Sequence, residues 1–300
     1  MSHSLSSPKI SYRGRFAPSP SGSLHFGSLI AALGSYLQAK SQQGLWHVRI
    51  EDIDPPREVT GASDDILRTL EAYGLHWDGK VVYQSERSEA YEEILSQLNK
   101  QAMCYGCSCT RQMIKQQGGI YSGQCREKNL PITNNALRIN LSKLSHPISY
   151  FYDQLQGEVH FNKRQAEEDF IIKRKDGLYA YNLAVVIDDI EQGITEIVRG
   201  ADLLETTGKQ LSLYQLLDAP AANYIHLPVA VTSPGKKLSK QNHALAIDRR
   251  DPIPTLLKAL SFLGNPVSAD TDVSSCENIL KSAVANWSLQ KITKQLEIQI

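Results

Sequence analysis

The chain has 300 residues, 41% hydrophobic and 21% charged, with 32 Lys plus Arg set against 32 Asp plus Glu. This composition excludes intrinsic disorder and allows a sizeable core, in about two domains at the usual ~100–200 residues each. No apolar run approaches the roughly 18–20 residues of a membrane span, the N-terminal MSHSLSSPKISYRGRF lacks the apolar stretch of a signal peptide, and zero net charge carries no global imprint of a nucleic-acid partner. A cytoplasmic, enzyme-sized globule is expected, with no membrane and no obligate protein partner in evidence.

The first hundred residues alternate strand and helix. Residues 12–17 read as a strand, then a Pro/Ser/Gly loop, then a helix from Gly27 to about Ala39. Residues 46–50 (WHVRI) form a second strand with acidic residues at its C-terminal end. A helix near Asp64–Tyr73, a short strand at 81–84 and a helix over Ser88–Gln101 follow, the last with Tyr91, Ile94 and Leu98 on one face. Alternation of this kind predicts parallel βαβ units. From about 103 the rhythm breaks into a cysteine-rich window and short antiparallel strands (ALRIN, SYFYDQLQGEVHFN). It resumes near Phe170, with helix over Asn182–Ile190, strand over 195–200, helix over Leu203–Leu217 and a final buried strand, IHLPVAV, at 225–231. Two or three short helical patterns follow Pro252. The fold class expected is α/β, a Rossmann-type doubly wound parallel sheet. Its halves span 12–102 and 169–250, a zinc-containing insertion spans 103–168, and a small helical region spans 251–300.

Five cysteines are present, and Cys104, Cys107, Cys109 and Cys125 crowd one window while Cys276 lies far away. An odd count without export signals does not read as a disulfide framework. Thiols this close are better read as a four-thiolate zinc site, with buried, metal-free cysteines as the less frequent outcome.

The first loop, from Ala17 through Ser19, Gly22, His25 and Gly27 to Ser28, joins a strand end to a helix start. Open α/β sheets bind ligands outside the carboxyl ends of their strands, and a helix start presents free N–H groups to phosphate oxygens. Gly27, lacking a Cβ, leaves room for a nucleotide. An ordinary Pro/Gly turn capped by a histidine accounts for this loop about equally well. Far downstream, Lys236-Lys237-Leu238-Ser239-Lys240-Gln241 would by itself most often be a solvated surface.

Together, in this order and more than 200 residues apart, the two loops resemble the HIGH and KMSKS signatures of class I aminoacyl-tRNA synthetases. His25-Phe26-Gly27-Ser28 and Lys237-Leu238-Ser239-Lys240-Gln241 are variants of both. The segments Arg15–Gly22, Arg49–Asp54 and Ile197–Asp202 are similar to the catalytic core of glutamyl- and glutaminyl-tRNA synthetases. Only about 55 residues follow the lysine-rich loop, too few for the anticodon-binding domains of those enzymes. With the Cys-x-Cys…Tyr-x-x-x-Cys insertion, the chain resembles the glutamyl-queuosine tRNA(Asp) synthetase family.

That resemblance implies activation of L-glutamate by ATP with Mg²⁺, without tRNA, then transfer of the glutamyl group to queuosine at the wobble position of tRNA(Asp). It implies His25, Gly27, Lys237 and Lys240 as catalytic residues, with His25, Gly27, Ser28 and Lys240 on ATP. Arg15, Ala17, Ser19, Glu51, Tyr181 and Arg199 would hold glutamate, the two arginines by bidentate recognition of its carboxylates and Glu51 by pairing with its ammonium. It also implies Cys107, Cys109, Tyr121 and Cys125 as ligands of one structural zinc, leaving Cys104 aside. Competing readings are a truncated glutamyl-tRNA synthetase, another HIGH-type nucleotidyltransferase, and an inactive tRNA-binding module. Locally the neutral charge breaks down: Arg111, Lys115, Arg126 and Lys128, and again Lys236, Lys237, Lys240, Arg249 and Arg250, form basic stretches able to position a phosphate backbone.

Overall fold

A computed structural model describes residues 11–237 and 245–300. Lys240 lies outside the described residues. Lys237 is described in its backbone only.

The chain opens with β1 (Arg13–Phe16), α1 (Phe26–Ser41) and β2 (Leu45–Ile50), then α2 (Ala62–Ala72), β3 (Val82–Tyr83) and α3 (Ser88–Lys100). β1, β2 and β3 pair in parallel, in that order. Period-two alternation sorts these strands by chemistry. Trp46, Val48 and Ile50 point into the main apolar core beneath α1, where Trp46 Nε1 donates to Ser35 Oγ at 2.9 Å. Arg15 and Arg49 point to the opposite face. There they meet carboxylates on α6 (Tyr181–Glu191). Helices therefore cover both faces of the sheet, one against hydrocarbon and one against charge.

A second parallel group continues alongside: β9 (Glu196–Gly200), β10 (Asn223–Leu227) and β6 (Tyr150–Asp153), edged by β7 (Gly157–His160), which is antiparallel to β6. The Thr195 N–H donates to Arg13 O at 2.9 Å, and β1 and β9 lie in contact, so the two groups adjoin. α1 packs closely on both. A Cβ on Gly34 would stand 2.4 Å from Leu227 Cδ1, so a larger residue there would have to displace the Leu227 side chain that helix and strand now pack around.

The cysteine window forms β4 (Cys104–Cys107) and a short helix α4 (Arg111–Gln116). β4 is antiparallel to β5 (Ala136–Ile139), which pairs on its far side with β8 (Ile171–Lys173). A short α5 (Lys163–Ala166) precedes β8, and α7 (Thr207–Leu216) packs on α6. The segment 103–168 is thus laced into its surroundings, since β6 joins the parallel sheet and β8 joins the cysteine-bearing one.

Three local expectations change. The single strand read at 225–231 is two strands, β10 and β11 (Val229–Ser233), because Pro228 has no N–H to continue the ladder; β11 turns into a different sheet with β12 (Lys236–Lys237) and β13 (Glu297–Gln299). β13 falls within the tail expected to be helical, which otherwise holds α8 (Ile253–Phe262) and α9 (Cys276–Asn286). The helix read over Leu203–Leu217 begins in α form only at Thr207. Residues Ala201–Thr206 are a 3₁₀ turn in which Leu203 O accepts from Thr206 Oγ1 at 2.6 Å and from Arg199 Nη2 at 3.3 Å. Among the described residues no helix is long and apolar enough to cross a membrane.

Candidate active site

The carboxyl ends of β1, β2, β9 and β10 open onto a cleft of about 450 Å³. Nine of the residues expected to touch glutamate or ATP line it: Arg15, Ala17, Ser19, His25, Gly27, Ser28, Glu51, Tyr181 and Arg199. They come from four separated stretches of sequence, and the parallel sheet brings their strand ends together. The wall also includes Asp202, the last residue of the Ile197–Asp202 segment, and Arg57, Leu203 and Pro228, which no sequence motif had singled out.

His25 is the N-cap of α1. Its backbone is extended (φ −114°, ψ 174°) and its Nδ1 accepts from the Ser28 N–H at 3.3 Å, satisfying one of the orphan donors of the first turn. Acceptance at Nδ1 makes Nε2 the protonated nitrogen of a neutral ring. The ring is buried against the cleft with the helix's partial positive end beneath it. The chain leaving the undescribed 238–244 segment arrives at this point: Ala246 bridges His25, and the Ile247 N–H donates to Leu24 O at 3.0 Å. The exit of the lysine-rich loop is therefore fixed to the histidine loop by backbone contacts.

Beneath the cleft lies a buried charged layer. Arg15 Nε and Nη2 donate to the two oxygens of Asp189 at 3.1 and 3.2 Å. Arg49, fully buried, donates to Asp189 Oδ1 at 2.8 Å and to Gln192 Oε1 at 2.6 Å. Burial raises the Asp189 pKa, but the two guanidiniums outweigh it and hold the carboxyl below its ordinary value. The neighbouring Asp188 accepts from Gln84, Arg87 and Tyr91. The bidentate fork expected of Arg15 is thus engaged with Asp189, a partner that no motif had marked. Nη1 is what Arg15 retains for the cleft.

Glu51 behaves differently. It sits one residue past β2, buried, 3.8 Å from Arg49 Nη2, and its Oε1 has no hydrogen-bond partner among the described residues. Desolvation pushes its pKa up to about 7, against the pull of Arg49 and Arg15. A buried carboxyl lining a cleft, with no hydrogen bond to one oxygen and only a long ion pair to Arg49, is suited to a cationic ligand that would restore its charge. Tyr181, first residue of α6, closes this side, its phenol also raised by burial and by Glu51.

Arg199 is almost wholly engaged by protein. Nε donates to His226 Nε2 at 3.0 Å, Nη1 to Gln210 Oε1 at 2.8 Å, and Nη2 to Thr207 Oγ1 at 2.9 Å. The bidentate grip expected of it is again occupied, here by neutral acceptors.

The cysteine group is a second, closed site. The Sγ atoms of Cys107, Cys109 and Cys125 lie within 4.8 Å of one another, with Cys109 and Cys125 at 3.5 Å. Sulfurs held by one zinc at ~2.3 Å stand about 3.8 Å apart, so the set fits a tetrahedral ion. Tyr121 OH lies 3.6 Å from Cys107 Sγ and accepts from the Cys125 N–H at 2.9 Å. Arg138 Nε and Gln124 Nε2 lie at hydrogen-bond distance from Cys107 and Cys109 sulfurs, 3.2 and 3.1 Å, and the Arg138 guanidinium stacks 3.8 Å from the Tyr121 ring centre. Cys104, which spacing alone would have included, packs instead with Leu98, Leu137 and Ile139, where burial pushes its thiol up to about 11.

The basic stretches are partly self-neutralised. Arg126 is paired bidentately with Asp169, Arg249 with Asp65 and Arg250 with Asp248, while Arg111, Lys115 and Lys128 stand exposed.

A strand-end cleft on a parallel sheet, bordered by a helix that a histidine caps, is the catalytic architecture of class I aminoacyl-tRNA synthetases. The family model described as "tRNA synthetases class I (E and Q), catalytic domain" matches residues 11–298. The chain is 57% identical over 287 residues to the glutamyl-Q tRNA(Asp) synthetase of Photobacterium profundum, spanning 96% of this chain and 92% of that one. It is 58% identical over 281 residues to the enzyme of that name from Escherichia coli K12, spanning 94% and 90%. Among solved structures it resembles the glutamate-tRNA synthetase of Elizabethkingia anophelis, with a TM-score of 0.78 at 25% identity over 95% of this chain and 67% of that one. The chain belongs to the class I glutamyl- and glutaminyl-tRNA synthetase family and, within it, to the glutamyl-Q tRNA(Asp) synthetases.

Proposed function

We propose that the protein activates L-glutamate with ATP and transfers the glutamyl group to queuosine in tRNA(Asp). The observation carrying this reading is the buried Glu51 carboxyl, one oxygen without a hydrogen bond, in the cleft that Arg15, His25 and Arg199 also line, in a chain 57% identical to curated glutamyl-Q tRNA(Asp) synthetases. In the first step the α-carboxylate of glutamate attacks the α-phosphorus of Mg²⁺-bound ATP in line, and pyrophosphate leaves. Catalysis of this kind is positioning plus stabilisation of developing negative charge. His25 donates from Nε2 to phosphate oxygens, Gly27 and Ser28 line the nucleotide's path, and Lys237 and Lys240 meet the phosphates as point charges. Glu51 pairs with the ammonium, Arg15 and Arg199 face the carboxylates through their remaining N–H groups, and Ala17, Ser19 and Tyr181 shape the pocket. In the second step a hydroxyl of the queuosine cyclopentene diol attacks the adenylate carbonyl, forming an ester and releasing AMP.

Cys107, Cys109, Tyr121 and Cys125 would hold one zinc ion, which when bound would supply structural cross-linking of segment 103–168. Glutamate-dependent ATP–pyrophosphate exchange without RNA, followed by nucleoside analysis of tRNA(Asp) after incubation with labelled glutamate, tests the reading. Label in the modified wobble nucleoside supports it. Label at the 3′ end would replace it with a glutamyl-tRNA synthetase activity, and absence of exchange would leave an RNA-binding module.

A further inference from the structure

Two buried ionisable residues have no part in the chemistry above. Asp153, at the end of β6, is wholly buried, as is His226 on β10. Oδ1 of Asp153 accepts from the Leu155 and Gln156 N–H groups at 3.0 and 2.8 Å. Oδ2 accepts from the His226 backbone N–H at 3.0 Å and faces His226 Nδ1 at 2.7 Å. An acceptor-only carboxylate with these partners forces the Nδ1–H tautomer on His226. Nε2 is then an acceptor, and it receives the Arg199 Nε–H at 3.0 Å. Burial disfavours the imidazolium and so keeps this lone pair available. Tyr224 stacks on His226 with planes 2° apart and carries the Arg199 guanidinium 5.1 Å from its own ring centre. Gln210 and Thr207 hold the other two nitrogens. One Nη1 hydrogen is the donor this frame leaves over.

We propose that Asp153 and His226 are a positioning pair that fixes the Arg199 guanidinium in one orientation, with its Nη1 edge presented to a carboxylate of the amino-acid substrate. The inference rests on the glutamate reading of Arg199 given above. Neither residue touches substrate; both act through Arg199. Because the chain of bonds runs from an anion through a neutral ring to a cation, reversing the tautomer would set Nε2–H against Arg199 Nε–H.

The test compares Asp153→Asn, His226→Leu, His226→Gln and Arg199→Lys by glutamate-dependent pyrophosphate exchange, with KM measured separately for glutamate and ATP. Asp153→Asn keeps shape but puts an NH₂ either on the backbone donors or on Nδ1. It should raise KM for glutamate ~10- to 100-fold, the range of one lost hydrogen bond to a charged group, with KM for ATP unchanged. His226→Leu should match it. His226→Gln, whose amide oxygen can take the Arg199 proton, should recover to within about threefold of wild type. Parallel rises in both KM values would mean a structural role only and would overturn the proposal. So would a glutamate KM raised by Arg199→Lys but untouched by Asp153→Asn. If Arg199→Lys leaves it untouched, the glutamate reading of Arg199 falls and the pair's role with it. Should the Asp153 variant fail to fold, ¹⁵N NMR of the wild-type imidazole decides: protonated Nδ1 with bare Nε2 is required, and protonated Nε2 overturns the proposal.

Discussion

The cleft and the cysteine cluster are built on opposite plans. The cleft collects residues from positions 15 to 229 at the ends of parallel strands, and its key groups are only partly satisfied: Glu51 has an oxygen without a hydrogen bond and Arg15 keeps one nitrogen in reserve. The cysteine cluster comes from one window, 107 to 125, plus Arg138, and its sulfurs and phenol are surrounded by donors. A site meant for an exchangeable substrate must retain unmet electrostatic demand, which the ligand then meets. A site suited to hold a structure together is closed, and an ion bound there would complete it.

The largest effects should come from the charged floor of the cleft. Arg15→Ala leaves Asp189 short of a partner in a buried layer. It should cost ~3–5 kcal/mol in a denaturation experiment and abolish pyrophosphate exchange. Undiminished exchange would remove Arg15 from the site. His25→Ala should lower the exchange rate by about 10²–10³, the usual loss for one preorganised donor to a developing anion, with stability reduced only by the ~1 kcal/mol of a lost cap.

At the cysteine cluster the prediction has the opposite form. Chelation should lower Tm and loosen segment 103–168 to proteolysis before it affects exchange. By elemental analysis, Tyr121→Phe should bind less zinc than wild type, and Cys104→Ser should bind as much. Zinc lost only from the Cys104 variant would return the site to four thiolates.

A smaller effect concerns pH. The folded-state pKa of Glu51, raised to about 7, means that the neutral acid is favoured by folding, so its stabilising contribution is present below the ordinary carboxylate value and lost as pH rises through about 7. Binding an ammonium needs the anion. KM for glutamate should therefore fall as pH increases from 6 to 8, and Glu51→Gln should flatten that profile while raising KM throughout. A glutamate KM independent of pH in wild type would break the pairing of Glu51 with the ammonium.

The local parts of both sites were legible because their signals are local. A histidine and glycine at a helix start, a strand ending in Glu51, and cysteines two and sixteen residues apart need no knowledge of distant chain. The family resemblance then named Tyr121 in place of Cys104, which spacing alone did not. In the structure the two ends of β4 have different surroundings: Cys104 packs into the apolar core that includes Leu137, and Cys107 meets Tyr121 and Arg138. Strand pairing decides that, and a count along the chain does not.

By itself, then, the sequence determined the alternating strand and helix order, the strand-end position of the cleft residues and the crowding of cysteines in the insertion, since each follows from periodicity or from residue type within one short segment. Only the tertiary structure decided which acceptors the arginines meet. Asp189 lies 174 positions from Arg15, and His226 and Asp153 lie 27 and 46 positions from Arg199. It also decided that Pro228 sends the chain from one sheet to another, where the last strand completes it. The physical reason is the same in each case. A buried charge is defined by its partner, and partners across a sheet are chosen by register and packing between segments that share no local pattern.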